Sequence, residues 1–312
     1  MTPTSAFSLY WYFATERQNI FFRRMRGEPG PWTQDPILQQ FKFTNAYRAS
    51  DRVSQYLIRK VIYDGKENTR STQDTFFRII LFKIFNLPET WERYAKLGEI
   101  EWRPGILQEI DAILTDALAQ GHRINSNAYM MTGSGSKGQP RHRMYLYDFL
   151  GKMMKDSVPA KIEFAHNMGE AFDFIRSYRL MGDFLAYQYV TDINYSPMTN
   201  FSEMEFTVAG PGSARGIAKS FDVVDQPLDY IIRYVTENQD KGFAKYGYTF
   251  PRIGDRPLQL IDCQNLFCEF DKYTRARPDL NLQDSGKRIK NTFEANPQRI
   301  TYFYPPKWNV SL

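Results

Sequence analysis

Between Leu258 and Arg275 the chain reads Leu-Gln-Leu-Ile-Asp-Cys-Gln-Asn-Leu-Phe-Cys-Glu-Phe-Asp-Lys-Tyr-Thr-Arg. Asp262, Asn265, Glu269 and Lys272 follow one another at intervals of three, four and three. A helix over Gln259–Thr274 therefore aligns a carboxylate, an amide, a carboxylate and an amine on one face. Acid, amide and base together suit work on a polar substrate, with Asp262, Glu269 and Lys272 as the candidate catalytic groups. The alternative is a solvated face on which Glu269 pairs with Lys272.

A second constellation is Val208-Ala-Gly-Pro-Gly-Ser-Ala-Arg-Gly-Ile217. Its glycine spacing resembles the hairpin of helix–hairpin–helix DNA-binding proteins, in which a tight turn presents backbone N–H groups to a phosphate at a helix start. In that reading Gly210, Gly212, Ser213 and Arg215 contact DNA. A plain Gly-Pro-Gly turn is the competing explanation. A third set lies near the amino end: Arg17, Trp32 and the run Phe43-Thr-Asn-Ala-Tyr-Arg48 with Asp51-Arg52. Guanidinium forks bind phosphate or pyrophosphate bidentately, unless Asp35 and Asp51 pair with them instead. A fourth is Gln188 and Asp192, four apart on one helical face.

Some chemistries are poorly supported. His122, His142 and His166 are scattered and lack metal-ligand spacing, which argues against a zinc site or a Ser-His-Asp triad. Thr132-Gly-Ser-Gly-Ser-Lys-Gly-Gln-Pro140 reads as a flexible polar loop, and Gln139 stands where a phosphate-binding P-loop requires lysine.

The elements that must position these groups read as helices. The expected spans are Phe7–Phe22, one opened by Asp35-Pro36, then Ala46–Tyr63, Thr72–Phe85, Ile106–Gln120, His142–Lys155, Ile162–Arg176, Gly182–Asp192, Gly212–Phe221, Leu228–Asn238 and Gln259–Thr274. Alternating strands are scarce, so the fold class is all-α with at most one small hairpin. We expect a single helical domain over 1–312, with a possible division into lobes 1–130 and 141–312 about the 132–140 loop.

Composition sets the outer limits. With 312 residues the chain can bury a sizeable core, and 42% hydrophobic and 24% charged residues exclude wholesale disorder. No apolar run reaches the length of a membrane helix, and no signal peptide is read at the amino end. Cys263 and Cys268 would point about 140° apart on one helix, which disfavours a disulfide and makes a reducing cytoplasm the default. A net charge of +5 permits a nucleic-acid partner without requiring one, and 24 Phe, 20 Tyr and 5 Trp leave aromatic groups available for stacking on bases.

Taken in order, Trp11-Tyr-Phe-Ala-Thr-Glu-Arg17, Gly27-Glu-Pro-Gly-Pro-Trp-Thr-Gln-Asp-Pro-Ile-Leu38, Phe43-Thr-Asn-Ala-Tyr-Arg48-Ala-Ser-Asp-Arg52, Phe184-Leu-Ala-Tyr-Gln-Tyr189, Ala209-Gly-Pro-Gly212 and Leu260-Ile-Asp-Cys-Gln-Asn-Leu-Phe-Cys-Glu269 form a set that spans most of the chain. This set resembles the α-glutamyl/putrescinyl thymine pyrophosphorylases, or amino acid:DNA transferases, whose related helical domain accompanies 5-hydroxymethyluracil DNA kinases. The resemblance implies a helical, DNA-glycosylase-like fold with a helix–hairpin–helix-type element. It implies a step of phage DNA hypermodification in the cytoplasm of an infected bacterium, after a DNA kinase has acted. In that step an amino acid or polyamine displaces pyrophosphate from 5-pyrophosphoryloxymethyluracil in double-stranded DNA, with no membrane involved.

On this reading Arg17, Arg48 and Arg52 meet the departing pyrophosphate, with or without Mg²⁺, and Asp262 or Glu269 takes the amine proton. Trp32, Gln264 and Asn265 replace the stacking and pairing of an extruded base, with Asn45, Gln188 and Asp192 as further substrate contacts. Asp262 lies farther beyond the hairpin than the glycosylase acid does, and Asp222 and Asp225 lie nearer. Two other readings stay open. One is a glycosylase-like hydrolase of modified pyrimidines, and the other a non-catalytic helical partner of the kinase.

Overall fold

The computed structural model describes residues 1–126, 140–222, 225–296 and 299–310. The 132–140 loop, apart from Pro140, lies outside the described residues. The described chain is helical, with β-pairing limited to isolated bridges and no hairpin among these residues. It divides into two compact units, each discontinuous in sequence. The first comprises 1–51, 203–302 and 308–312, and the second 52–202 and 303–307. This division does not follow the 132–140 loop.

The chain opens in the first unit with α1 (Phe7–Met25) and α2 (Pro36–Gln40). Burial of α1 is broader than a single stripe: Tyr10, Trp11, Phe13, Ala14, Gln18 and Phe21 are all buried. Asp35 caps α2 by accepting from the amides of Ile37 and Leu38, with Pro36 in the first turn, as its sequence predicts.

The second unit holds α3 (Arg52–Tyr56), α4 (Thr72–Phe85), α5 (Pro88–Glu92), α6 (Ile106–Ala119), α7 (Arg141–Arg143), α8 (Lys152–Lys155), α9 (Val158–Glu163), α10 (Met168–Arg176) and α11 (Asp183–Ile193). Two π-helical stretches, Leu57–Ile62 and Met144–Gly151, extend α3 and join α7 to α8. Ser71 caps α4, which is buried continuously from Thr75 to Phe85 and forms the axis of this unit. The helix expected over 162–176 is interrupted, because the Asn167 side chain accepts from the Glu170 amide and starts α10 afresh.

Back in the first unit come α12 (Pro211–Ser220), α13 (Leu228–Glu237), α14 (Gln239–Lys245) and α15 (Leu260–Arg275). Tyr10 of α1 stacks on Phe267 of α15 with ring centroids 4.5 Å apart, and Trp11 meets Phe243 of α14 edge-on at 4.7 Å. Gly242 makes room for that indole, since a methyl there would lie 2.3 Å from Trp11. Aromatic packing of this kind accounts for a large share of the Phe and Tyr content.

Candidate functional site

The polar face of α15 is present as expected, and it faces the segment 42–51. Asp262 Oδ1 accepts from the Arg48 amide at 2.8 Å and Oδ2 from the Gln259 amide at 3.0 Å. Asn265 donates to the Thr44 hydroxyl at 2.9 Å, Glu269 accepts from the Thr44 amide at 3.0 Å, and Lys272 donates to the Lys42 carbonyl. Lys272 also pairs with Glu269 at 3.1 Å. Asp262, Glu269 and Lys272 thus grip backbone groups of a run that descends from residue 48 to residue 42, and Asn265 holds the Thr44 side chain within it. From the other side, Arg17 of α1 donates to the Thr44 carbonyl at 2.9 Å and to the Asn45 side chain at 3.0 Å. Asn45 donates its amide to Asp51 at 2.7 Å and its side chain to the Ser50 carbonyl.

This grip explains why the helix predicted from Ala46 does not begin there. The amides of Thr44, Asn45 and Arg48 are bound by carboxylates, and only a short 3₁₀ turn, Arg48–Ser50, precedes α3. Tertiary partners for the backbone outweigh local helix preference. Asp262 is tied at both oxygens and closes a capping box with Gln259 at the start of α15. Both of its oxygens are thereby engaged by backbone amides. Burial pushes its carboxyl up to about 6, assisted by Glu203 and opposed by the two amide hydrogen bonds and Arg256. Burial pushes Asp51 further, to about 7; Glu269 adds to the rise, while the Asn45 amide, Arg17 and Arg48 counter it. Asp51 therefore exchanges a proton near neutrality, which a general base requires.

On the same two helices lies an open cleft of about 800 Å³. Tyr12, Trp32, Tyr248 and Tyr273 supply aromatic walls, Arg23 and Arg277 positive charge, and Glu16 and Asp35 carboxylates. Tyr273 donates its hydroxyl to Asp35 at 2.8 Å, Arg23 donates to the Trp32 carbonyl at 2.6 Å, and the Trp32 indole donates to the Glu28 carbonyl at 2.7 Å. The Arg24 guanidinium lies over the Trp32 ring at 4.9 Å. Burial and the neighbouring Asp35 raise the Tyr12 phenol far above neutrality, so it serves as a hydrogen-bond donor. Adjacent residues of one helix serve the two places: Glu16 faces the cleft and Arg17 the 42–51 segment, while Tyr273 and Lys272 divide likewise on α15. Aromatic faces beside guanidinium groups suit a planar ring bearing an anion.

Two glycines of the motif, Gly212 and Gly216, pack against α15. Gly210 precedes α12, and residues 194–210 contain no helix that a hairpin would join to it. A methyl on Gly216 would lie 2.0 Å from the Phe267 carbonyl oxygen and one on Gly212 would lie 2.3 Å from Cys268 Sγ, so both glycines serve close packing against α15. Ser213 donates to the Gln264 carbonyl at 2.5 Å and accepts from the Gln264 side chain at 2.8 Å, which ties both residues into the same seam. Arg215 pairs with Asp271 at 3.1 Å and is half-exposed. The two cysteines are free, as their helical spacing predicts.

The remaining sequence candidates, Arg52, Gln188 and Asp192, belong to the second unit. Gln188 and Asp192 are buried on α11, where Asp192 meets the buried Lys83 of α4 at 2.7 Å. Lys83 was not visible as a partner, because its sequence context is an apolar core helix. Tyr12, Tyr248, Tyr273 and Arg277 were also missed. The periodicity of α1 does put Tyr12, Glu16 and Arg23 on one face. Nothing local links them to Tyr273 or Asp35. Among the described residues no group of His, Cys, Asp and Glu could hold a metal, and no helix is long and apolar enough to cross a membrane.

Residues 4–281 match the family model of the helical domain of 5-hmdU DNA kinases. The chain belongs to that family. Over 328 aligned positions it is 23% identical to a 5-hmdU DNA kinase of Bacillus phage SP10, covering 97% of this chain and 50% of that protein. The chain therefore spans about half the length of the curated relative. No solved structure matches it. Of the two related groups named from the sequence motifs, this match falls on the helical domain of the kinases.

Proposed function

We propose that this chain works on 5-hydroxymethyluracil-derived bases in phage DNA, as the transferase that replaces pyrophosphate on the base methylene with an amine. The match to the helical domain of 5-hmdU DNA kinases over residues 4–281 supports work on 5-hydroxymethyluracil DNA, and the transferase step rests on the ordered sequence motifs. The sequence contains no G-x-x-x-x-G-K-[ST] motif.

In the proposed step the carbon–oxygen bond to pyrophosphate breaks and a carbon–nitrogen bond forms. The electron pair leaves with pyrophosphate, and the amine nitrogen surrenders a proton. Arg17 and Arg48, whose charges act on Asp51, would stabilise the growing negative charge. Asp51, poised at about 7, would take the proton. Asp262, Asn265, Glu269 and Lys272 would hold the 42–51 segment in register, and the aromatic walls of the cleft around Trp32, on the other face of α1, would stack an unpaired base beside the reacting one. An amino acid or a polyamine would serve equally as the source of nitrogen.

A second reading is that the chain holds DNA for a kinase active site elsewhere; it is favoured by the span of the relative that the match covers, 50%. Pyrophosphate release separates the two. DNA carrying pyrophosphorylated hydroxymethyluracil is mixed with the protein, with and without amines. Amine-dependent release, lost in Asp51→Asn, supports the transferase. Tight DNA binding with no release from any amine supports the holding role, and abasic sites would point to a hydrolase.

A further inference from the structure

Along one edge of the first unit, cations fall into two groups. Arg23, Arg26, Lys272, Arg277 and Lys287 are each paired with a nearby carboxylate. Lys42, Arg288, Lys290 and Arg299 are exposed, and among the described residues none has an ion-pair partner. These four come from three separated stretches that the fold gathers. Phe41 bridges to Thr292, and the Lys42 amide donates to the Asn291 carbonyl at 3.1 Å, so the 288–292 segment runs antiparallel beside residue 42. Along that segment Ile289 turns inward, 6% exposed, leaving Arg288 and Lys290 both facing water. Arg299 lies against Gly27, where a methyl would come within 2.9 Å of its guanidinium. The same edge borders the cleft: Phe293 meets Trp32 edge-on at 6.3 Å, and Arg24 lies over both rings.

We infer that Lys42, Arg288, Lys290 and Arg299 form a track for the sugar–phosphate backbone of duplex DNA, beside the cleft that stacks the unpaired base. The inference rests on the reading of DNA as substrate and adds the surface that grips it. Unpaired cations at the rim are hydrated and free to exchange counterions for phosphates, whereas the paired ones are already neutralised. Glu294 is the one exposed acid within the 287–294 stretch that has no partner of its own, and it leaves the balance positive. The inward turn of Ile289 leaves no apolar side chain between the two exposed cations for a lipid interior. The track would fix position on the duplex and carry no sequence preference.

The test is binding of unmodified duplex DNA, followed by fluorescence anisotropy across a salt series, with no amine present. Outcome and transfer activity are thereby independent. In a variant with Lys42→Gln, Arg288→Gln, Lys290→Gln and Arg299→Gln, the slope of log affinity against log salt should become shallower by about 0.9 for each phosphate that is no longer neutralised. Affinity at about 0.1 M salt should fall at least roughly tenfold. The single variants Arg288→Gln and Lys290→Gln should each flatten the slope by about one, so the test survives if the fourfold variant misfolds. A control with Lys96→Gln, Lys155→Gln, Lys161→Gln and Arg179→Gln, exposed cations of the second unit, removes the same charge. An unchanged slope in the track variants overturns the inference. So does an equal loss in the control, which would make net charge the cause.

Discussion

Replacing Gly216 by alanine adds one methyl group at the seam between α12 and α15. That carbon would stand 2.0 Å from the Phe267 carbonyl oxygen and 2.8 Å from its carbonyl carbon. Both atoms belong to the backbone of a buried helix, so no side-chain rotation relieves the clash. Reaching an ordinary separation of 3.4 Å requires α12 to retreat by more than an ångström. The move would disturb the Ser213–Gln264 hydrogen bonds and the buried pairing of Lys219 with Asp271. Overpacking of this kind costs about 1–3 kcal/mol, against about 0.5–1 kcal/mol gained because alanine favours a helix. With the strained hydrogen bonds included, the net loss should be about 2–3 kcal/mol, or a melting temperature lower by about 3–5 °C for a chain of this length. Gly212→Ala is the internal comparison. Its methyl meets the Cys268 side chain, which can swing aside, so its loss should be at most about half as large. Melting both variants by circular dichroism, beside a DNA-binding measurement, decides the matter. A Gly216→Ala protein that melts with wild type yet no longer binds DNA would refute the packing account and restore the glycines to phosphate binding.

Three other outcomes follow from the first unit. Asp51 has a raised carboxyl, so its contribution to stability is greatest below about pH 4 and declines as pH climbs through about 7. Asp51→Asn should therefore melt higher relative to wild type at pH 8 than at pH 5, and a difference that ignores pH contradicts the assigned environment. Trp32→Ala should weaken binding of base-containing substrates by about 5–150-fold, the cost of one absent stacking partner, with the Michaelis constant for the amine unchanged. Equal binding by the variant would remove the cleft from the account. Lys219→Met takes a buried ammonium from Asp271, which it meets at 2.7 Å, while Arg215 and Arg275 remain beside the acid. Urea unfolding should show a loss of about 3 kcal/mol, at the lower end for broken buried pairs, and a loss under about 1 kcal/mol would mean the pair is dispensable.

Helical spans were legible because their signals are local. Asp35-Pro36 capped α2, Ser71 capped α4, and the apolar spacing of Thr72–Phe85 matched a helix down to its ends. The reading failed where distant groups compete for the backbone. Nothing in Ala46–Tyr63 announces that carboxylates more than two hundred residues away will take the amides of Thr44 and Arg48. The polar face of α15 was visible as a face, but its partner was not, so a stripe that holds a loop looked the same as one that holds a substrate. Gly212 and Gly216 illustrate the converse. Spacing shows that a side chain is unwelcome, and only packing shows that a second helix occupies the space. The cleft was hardest to foresee, since Tyr12, Trp32, Asp35, Tyr248 and Tyr273 meet only once α1 and α15 are laid together.

The most direct measurement supplies the protein with DNA bearing pyrophosphorylated hydroxymethyluracil and a ¹⁵N-labelled amine, then digests the product to nucleosides for mass spectrometry. The account predicts a thymidine derivative that retains the heavy nitrogen on its methylene, in amounts that fall sharply with Asp51→Asn. Recovery of only the starting nucleoside and its hydroxymethyl form, with every amine offered and with the DNA demonstrably bound, would contradict it.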